Sequence, residues 1–413
     1  MKDEILKEIK PSKVLALTLY LVPLWWVLGL LPVIFHMAAF LYFFSVMKKE
    51  GSGLPLPSLF LILFLSIYAF SFLLHWAEFP LERALASLYN LSIWVMGLLL
   101  ILGIYRDRDL ELKEFLRSGA FLFWFTLALS LLDIYLYRRA RWLSFPTLLG
   151  TFFNPPQLHS SLVGQFFQAK MHIIGRWPLD FLPRVAFYSP YPNAFAGLVF
   201  LLWGATLTLY QNERKIWLQQ AVNLAALFLL LLSMSRASFL LGLGNFIAAE
   251  LLILPPAGGA ILLSLVFLLL FFSVLGIINP VAIFTRIARG STESRLLDYG
   301  EALRFFKESP LFGIGIKPRF LQGVPLGSHS TYIGVLLKTG LLGFFTFLAY
   351  AFSQIRAFFK ERNLPFLALS LLCMLGWMGF EDIDAPSLTA FLFFVISGLL
   401  IRYNLKGGFH EGN

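Results

Sequence analysis

The sequence predicts an all-α, polytopic membrane protein of about twelve transmembrane helices, and three observations carry that prediction. Of 413 residues, 58% are hydrophobic and 14% charged, with a mean hydropathy of +0.77, where a soluble domain is about 25% charged. Apolar runs of bilayer length, about 20 residues each, recur along the whole chain. Lys and Arg concentrate in alternate short connections, the pattern that membrane insertion leaves on the cytoplasmic side.

Met1 to Lys13 carries four lysines ahead of an apolar stretch with no small-x-small cleavage site, which reads as a retained anchor. Val14 to Met47 is too long for one helix and has Lys10, Lys13, Lys48 and Lys49 at its flanks, so it reads as a tight hairpin broken near Leu31-Pro32. Further spans follow at 55–75, 87–105, 119–137, 194–210, 216–234, 237–253, 260–279, 329–352, 364–380 and 388–402. With Cys373 as the one cysteine, no intrachain disulfide is available and helix packing must hold the fold. Short segments assigned inside hold 17 Lys or Arg and those assigned outside hold 2, which places both termini in the cytoplasm. The chain is then a single membrane domain, 1–413, with two long outside loops at 138–193 and 280–328.

Those loops hold six and seven Lys or Arg on the side that usually lacks them. One reading is a solvated basic surface attracted to anionic headgroups. The other is a phosphate site, because guanidinium forks match phosphate oxygens bidentately. Arg138, Arg139 and Arg141 stand at the exit of one span, Arg286, Arg289 and Arg295 follow another, and Arg236 lies between two. Within the second loop, Leu296, Tyr299, Leu303 and Phe306 recur at helical spacing, which predicts an amphipathic helix over 294–307 lying against the membrane or the bundle. His329 follows at the mouth of a span. Ser328 is a candidate N-cap, which would put His329 in the first helical turn, where the positive helix end favours a neutral imidazole able to take a proton. No nucleotide-binding signature occurs, and no nucleic-acid partner is expected.

Four stretches then carry a resemblance: Tyr191-Pro192-Asn193-Ala194-Phe195-Ala196, Ser233-Met234-Ser235-Arg236-Ala237-Ser238, Ser294-Arg295 through Pro310-Leu311-Phe312-Gly313-Ile314-Gly315, and His329 to Gly343. In order and spacing, over residues 185 to 345, they resemble the O-antigen ligase and polymerase superfamily of polytopic inner-membrane glycosyltransferases, with the ligase favoured. Two positions depart from that pattern: Ser330 replaces the usual asparagine, and Lys338 stands where an acid is common. The resemblance implies a GT-C-like glycosyltransferase of the bacterial inner membrane, with both long loops periplasmic. It would move a glycan from undecaprenyl pyrophosphate to a lipid A-core hydroxyl with inversion and without a cofactor. His329 would be the base, and Arg236, also catalytic, would hold the pyrophosphate and stabilise its growing negative charge. Arg286, Arg289, Arg295, Arg138, Arg139 and Arg141 would hold the pyrophosphate, and Asp382 or Asp384 would orient His329 or pair with an arginine.

Alternatives stay open at this point. A polymerase or a protein O-glycosyl ligase of the same superfamily shares these motifs, and a lipid-linked glycan transporter is a more distant reading. Asp382-x-Asp384 also resembles a metal-binding carboxylate pair, although the first outside loop is a tight turn around Gly29 to Pro32 with no acid in it.

Overall fold

The computed structural model describes residues 11–47, 53–107, 109–153, 164–174, 181–254, 295–319, 325–327, 329–360 and 364–406. The expected span at 260–279 lies outside the described residues, as do Arg286, Arg289, Ser328 and both chain ends. Helices α1 (Pro11–Tyr20) and α2 (Val22–Leu28) meet at a 61° bend, and α3 (Leu31–Met47) returns. Gly29 closes α2, its N–H on the Trp26 carbonyl at 3.2 Å, so the first connection is the expected tight turn. Then come α4 (Leu56–His75), α5 (Leu81–Arg106) and α6 (Leu112–Tyr137). After the first long loop follow α9 (Pro192–Asn212), α10 (Ile216–Ser233) and α11 (Arg236–Ile253).

The last helices are α12 (295–306), α13 (Thr331–Lys360), α14 (Pro365–Trp377) and α15 (Ser387–Lys406). Among the described residues, eight helices are long and apolar enough to cross a bilayer, or nine if α1 and α2 form one bent span; α3 and α14 are shorter apolar helices. Eleven of the twelve expected segments fall on these helices.

The first long loop departs from the all-α expectation. It holds a small antiparallel sheet in the order β1 (Leu143–Pro146), β2 (Gln168–Ile173), β3 (Arg184–Val185), with short helices α7 (Leu148–Phe153) and α8 (Gly164–Phe167) between the first two strands. Strands of two to six residues, one ending in proline, leave no readable alternation. The sheet is tied to α6 through His172, buried on β2. Its Nδ1 lies 2.7 Å from Asp133 Oδ1 and its Nε2 lies 2.9 Å from the Ala140 carbonyl.

Helix α12 exists where expected. Asp298 and Ala302 turn inward while Leu296 and Leu297 are 62% and 64% exposed. Two polar ties set this rotation: Arg295 reaches Glu381 at 3.0 Å, and Asp298 accepts the Gly327 N–H at 3.2 Å. An apolar stripe has no such directional preference.

Helix α13 is broken. At Gly340 the backbone takes φ 62° and ψ −165°, a region that is essentially glycine-only. The break strands backbone groups inside the bundle, where they cost free energy unless paired. A strap at 310–316 pairs them: the N–H groups of Ile314 and Gly315 donate to the Leu337 and Lys338 carbonyls at 3.0 and 2.9 Å, and those of Leu341 and Leu342 donate to the Pro310 and Leu311 carbonyls at 2.8 and 3.2 Å. Ser71 Oγ on α4 also donates to the Lys338 carbonyl, at 2.8 Å. The two glycine motifs read from the sequence are thus one interlock, with residues 331–339 forming a separate half-helix.

A Cβ at position 340 would overlap the Leu311 carbonyl as well as strain the backbone. Gly340→Ala should cost about 3 kcal/mol or more and sharply lower the apparent Tm of the detergent-solubilised protein. Gly244→Ala on α11 has open space around it and should leave the Tm unchanged or raise it, as expected for glycine in a helix.

Candidate functional site

The half-helix begins at Thr331, so His329 lies two residues before it and not in its first turn. The cap is Ser330, whose Oγ accepts the Ile333 N–H at 3.4 Å. Serine and asparagine are comparable N-caps, so the departure at 330 preserves the local function. The Thr331 N–H and hydroxyl donate to the Glu381 carbonyl at 3.0 and 2.8 Å, and the Ile383 N–H donates back to Thr331 Oγ1 at 3.0 Å. The turn between α14 and α15 is thereby fixed against the start of the half-helix. The Tyr299 hydroxyl on α12 donates to the His329 carbonyl at 2.6 Å.

His329 is half-buried, and its pKa is pushed down to about 4 by burial and then by the Arg295 guanidinium. The imidazole is neutral across the physiological range. The cause is not the helix end inferred from the sequence.

Beside the start of the half-helix that His329 precedes runs a chain of polar contacts drawn from four parts of the sequence. Arg184, on β3, donates through Nε to the Ser233 carbonyl at 3.2 Å and through a terminal nitrogen to Asn193 Oδ1 at 2.8 Å. Asn193, in the first turn of α9, donates in turn to Glu381 Oε1. Arg295 donates to that same oxygen at 3.0 Å. Glu381 is 1% exposed; burial pushes its pKa up to about 7, partly offset by Arg295 and Asn193. Arg236 opens α11 directly after the cap Ser235, three residues from the Ser233 carbonyl that Arg184 holds. The structure therefore brings His329, Arg295 and the Arg236 turn into one outer layer.

The expected orienting acids lie elsewhere. Among the described residues, Asp382 and Asp384 pair with lysines and not with an arginine or His329, and form an inner layer. Lys317 Nζ pairs with Asp382 and lies 3.4 Å from Asp384, and Lys338 Nζ pairs with Asp384. Trp94 Nε1 donates to Asp384 Oδ1 at 2.6 Å, and Lys338 Nζ stands 4.7 Å from the Tyr68 ring centre. Arg83 holds the Lys317 carbonyl with two bonds, at 3.0 and 2.7 Å. Burial and the neighbouring Asp384 raise the Asp382 pKa; burial also opposes the charge on Asp384, but Lys338 and Lys317 override it and hold that carboxyl low. The carboxylate pair that resembled a metal site is thus closed by ammonium groups. The acid that meets an arginine is the neighbour, Glu381.

Arg138, Arg139 and Arg141 lie exposed at the end of α6, with the Arg139 and Arg141 guanidinium groups 5.0 and 4.8 Å from the Tyr135 and Tyr137 ring centres. The arginine that the first loop contributes to the network is Arg184, a lone residue without any sequence signal. Asn193 did carry a signal, since it sits in the quoted Tyr191–Ala196 stretch.

A carboxyl with a raised pKa binds its proton more tightly in the folded state, so stability falls as pH rises from the ordinary carboxyl range to the raised value. For Glu381 this amounts to roughly 3 kcal/mol between about pH 4.5 and 7. Asp298, raised to about 6 mainly by burial, acts the same way, but its window closes earlier. Apparent Tm measured against pH should therefore fall toward neutrality. Glu381→Gln, which keeps an acceptor oxygen, should remove the slope between about pH 6 and 7; an unchanged slope would reject the assignment.

No individually curated protein matches the chain. Residues 221–348, from within α10 through the strap and the half-helix into the second part of α13, match the family model described as O-antigen ligase. That segment carries Arg236, Arg295, His329 and Lys338, and over it the chain is similar to the O-antigen ligase family.

Proposed function

We propose that this multi-pass membrane protein is an inverting glycosyltransferase of the O-antigen ligase type, acting at the periplasmic face of a bacterial inner membrane. It takes a glycan from undecaprenyl pyrophosphate and places it on a lipid A-core hydroxyl. The observation that carries this reading is the neutral His329 beside the Arg295 guanidinium, within a segment of the ligase family. A ring nitrogen of His329 takes the acceptor hydroxyl proton as the oxygen attacks the anomeric carbon on the face opposite the pyrophosphate. The bond from that carbon to the pyrophosphate oxygen breaks, and its electron pair leaves with the phosphate. Arg295, with Arg236 and the outer-loop arginines Arg286 and Arg289, stabilises the growing negative charge.

A pKa of about 4 would make a weak base of His329 in the empty site. Donor binding relieves part of this. When the pyrophosphate neutralises Arg295, one cause of the depression is removed and the imidazole becomes more basic. The positive charge needed by the leaving group is supplied by the chain's own guanidinium groups, so the reaction proceeds without a divalent metal under this reading.

The test is reconstitution in proteoliposomes with a lipid-linked glycan, in chelator, with lipid A-core and a second lipid-linked glycan offered as separate acceptors. The expected result is transfer to lipid A-core that survives chelation and falls about 10²–10⁴-fold in His329→Ala. Arg236→Ala should also lose transfer. Transfer confined to the lipid-linked acceptor would make the protein a polymerase. Activity lost on chelation would overturn metal independence, and wild-type rates in His329→Ala would sink the base assignment.

A further inference from the structure

Lys317, Lys338, Asp382 and Asp384 take no part in the chemistry proposed above, yet all four are 5% exposed or less. Two ammonium groups against two carboxylates cancel, which is the condition for keeping such charges inside a bundle. The arrangement is also fully connected: Asp384 receives Trp94, Lys338 and Lys317, and its own N–H donates to Asp382 Oδ1 at 3.2 Å.

The connections have a common target. The turn 381–384 holds the beginning of the half-helix through Thr331 and its last turn through Lys338, points about 10 Å apart along the axis. Lys317 crosses the same half-helix midway, where a Cβ at Gly334 would lie 2.9 Å from its Nζ. The break at Gly340 uncouples the half-helix from the rest of α13. Apolar packing alone would let a nine-residue segment slide or rotate at little cost, whereas ion pairs closed by hydrogen bonds have one geometry.

We infer that Lys338 and Asp384, together with Lys317 and Asp382, are positioning residues that fix the height and rotation of the half-helix 331–339 and so place His329 at the outer site. Lys338 is thus given a role that an apolar residue of the same length cannot fill. The kinetic consequence rests on the proposed transferase reading; the placement of His329 does not.

The test separates the two. Lys338→Met with Asp384→Asn removes one positive and one negative charge together, leaves Lys317 on Asp382, and keeps an oxygen for Trp94. The first readout is the rate at which diethyl pyrocarbonate modifies the His329 peptide, measured by mass spectrometry on detergent-solubilised protein. A change of about fivefold or more is expected, with a monodisperse elution profile. The second readout is glycan transfer, where kcat should fall about 10–100-fold with the KM for the lipid-linked donor within about twofold, as for a misplaced reacting group. Unchanged modification in a folded double variant overturns the inference. Altered modification with unchanged transfer upholds the positioning and instead overturns His329 as the base. If the double variant does not fold, Lys338→Arg keeps the charge but changes its reach and geometry; it is read in the same way, and an unchanged His329 rate there overturns the inference.

Discussion

The break at Gly340 and the strap that closes it constrain everything around them. Inside a membrane bundle no water is at hand to satisfy a broken helix, so the freed carbonyls and N–H groups must find partners in protein. Residues 310–315 supply them from both sides of the break: N–H groups toward Leu337 and Lys338, carbonyls toward Leu341 and Leu342. Gly313 permits the approach, since a side chain there would meet the backbone of 338–340. Once the strap is in this place, Lys317 follows two residues later and is carried into the bundle. The half-helix becomes a short independent element whose position must be set by something other than α13 itself.

The strap and Ser71 hold the far end of the half-helix, and one turn holds both ends. Glu381, Asp382 and Asp384 are near neighbours in sequence, but they serve two layers of opposite character. Asp382 and Asp384 face lysines and are matched charge for charge, so the inner layer is electrostatically complete. Glu381 faces outward to Asn193 and to Arg295, whose side chain is 24% exposed. In this outer layer the balance is unsettled, with Arg295 acting on both a carboxyl near 7 and an imidazole near 4. Groups whose protonation is so displaced cluster at functional sites. The inner layer is a support, and under the proposed reading the outer layer is the place of chemistry.

What the sequence disclosed follows from which interactions are local. Helical spans are periodic and long, so their positions were legible, and the hairpin at Gly29 and the four motifs were legible for the same reason. Ser330 looked like a departure but is an equivalent cap. The strands, at two to six residues, were too short to show a period. The partner of Lys338 was illegible because pairing with Asp384 spans 46 residues and depends on the tertiary fold. The stripe Leu296, Tyr299, Leu303 and Phe306 made α12 legible, but not the ties of Arg295 to Glu381 and of Asp298 to Gly327, which join it to residues farther along the chain. Arg184 offered nothing to read, since a single arginine in a loop acquires meaning only when Ser233 and Asn193 are brought to it.

The family match reaches from 221 to 348, and the outer layer crosses that boundary. His329, Arg236 and Arg295 lie inside it, while Arg184, Asn193 and Glu381 lie outside. The groups assigned to the reaction thus come from the family segment, and the groups that hold Arg295 through Glu381 come from the rest of the chain. Arg295 connects the two sets, because its guanidinium lowers the pKa of both His329 and Glu381. Under the proposed reading, a bound pyrophosphate takes that positive charge for itself. His329 then gains basicity and Glu381 gains a proton in the same event, so its carboxylate ceases to compete with the phosphate for Arg295. Occupancy of the donor site and readiness of the base are therefore linked through one side chain, and no movement of the backbone is needed to link them.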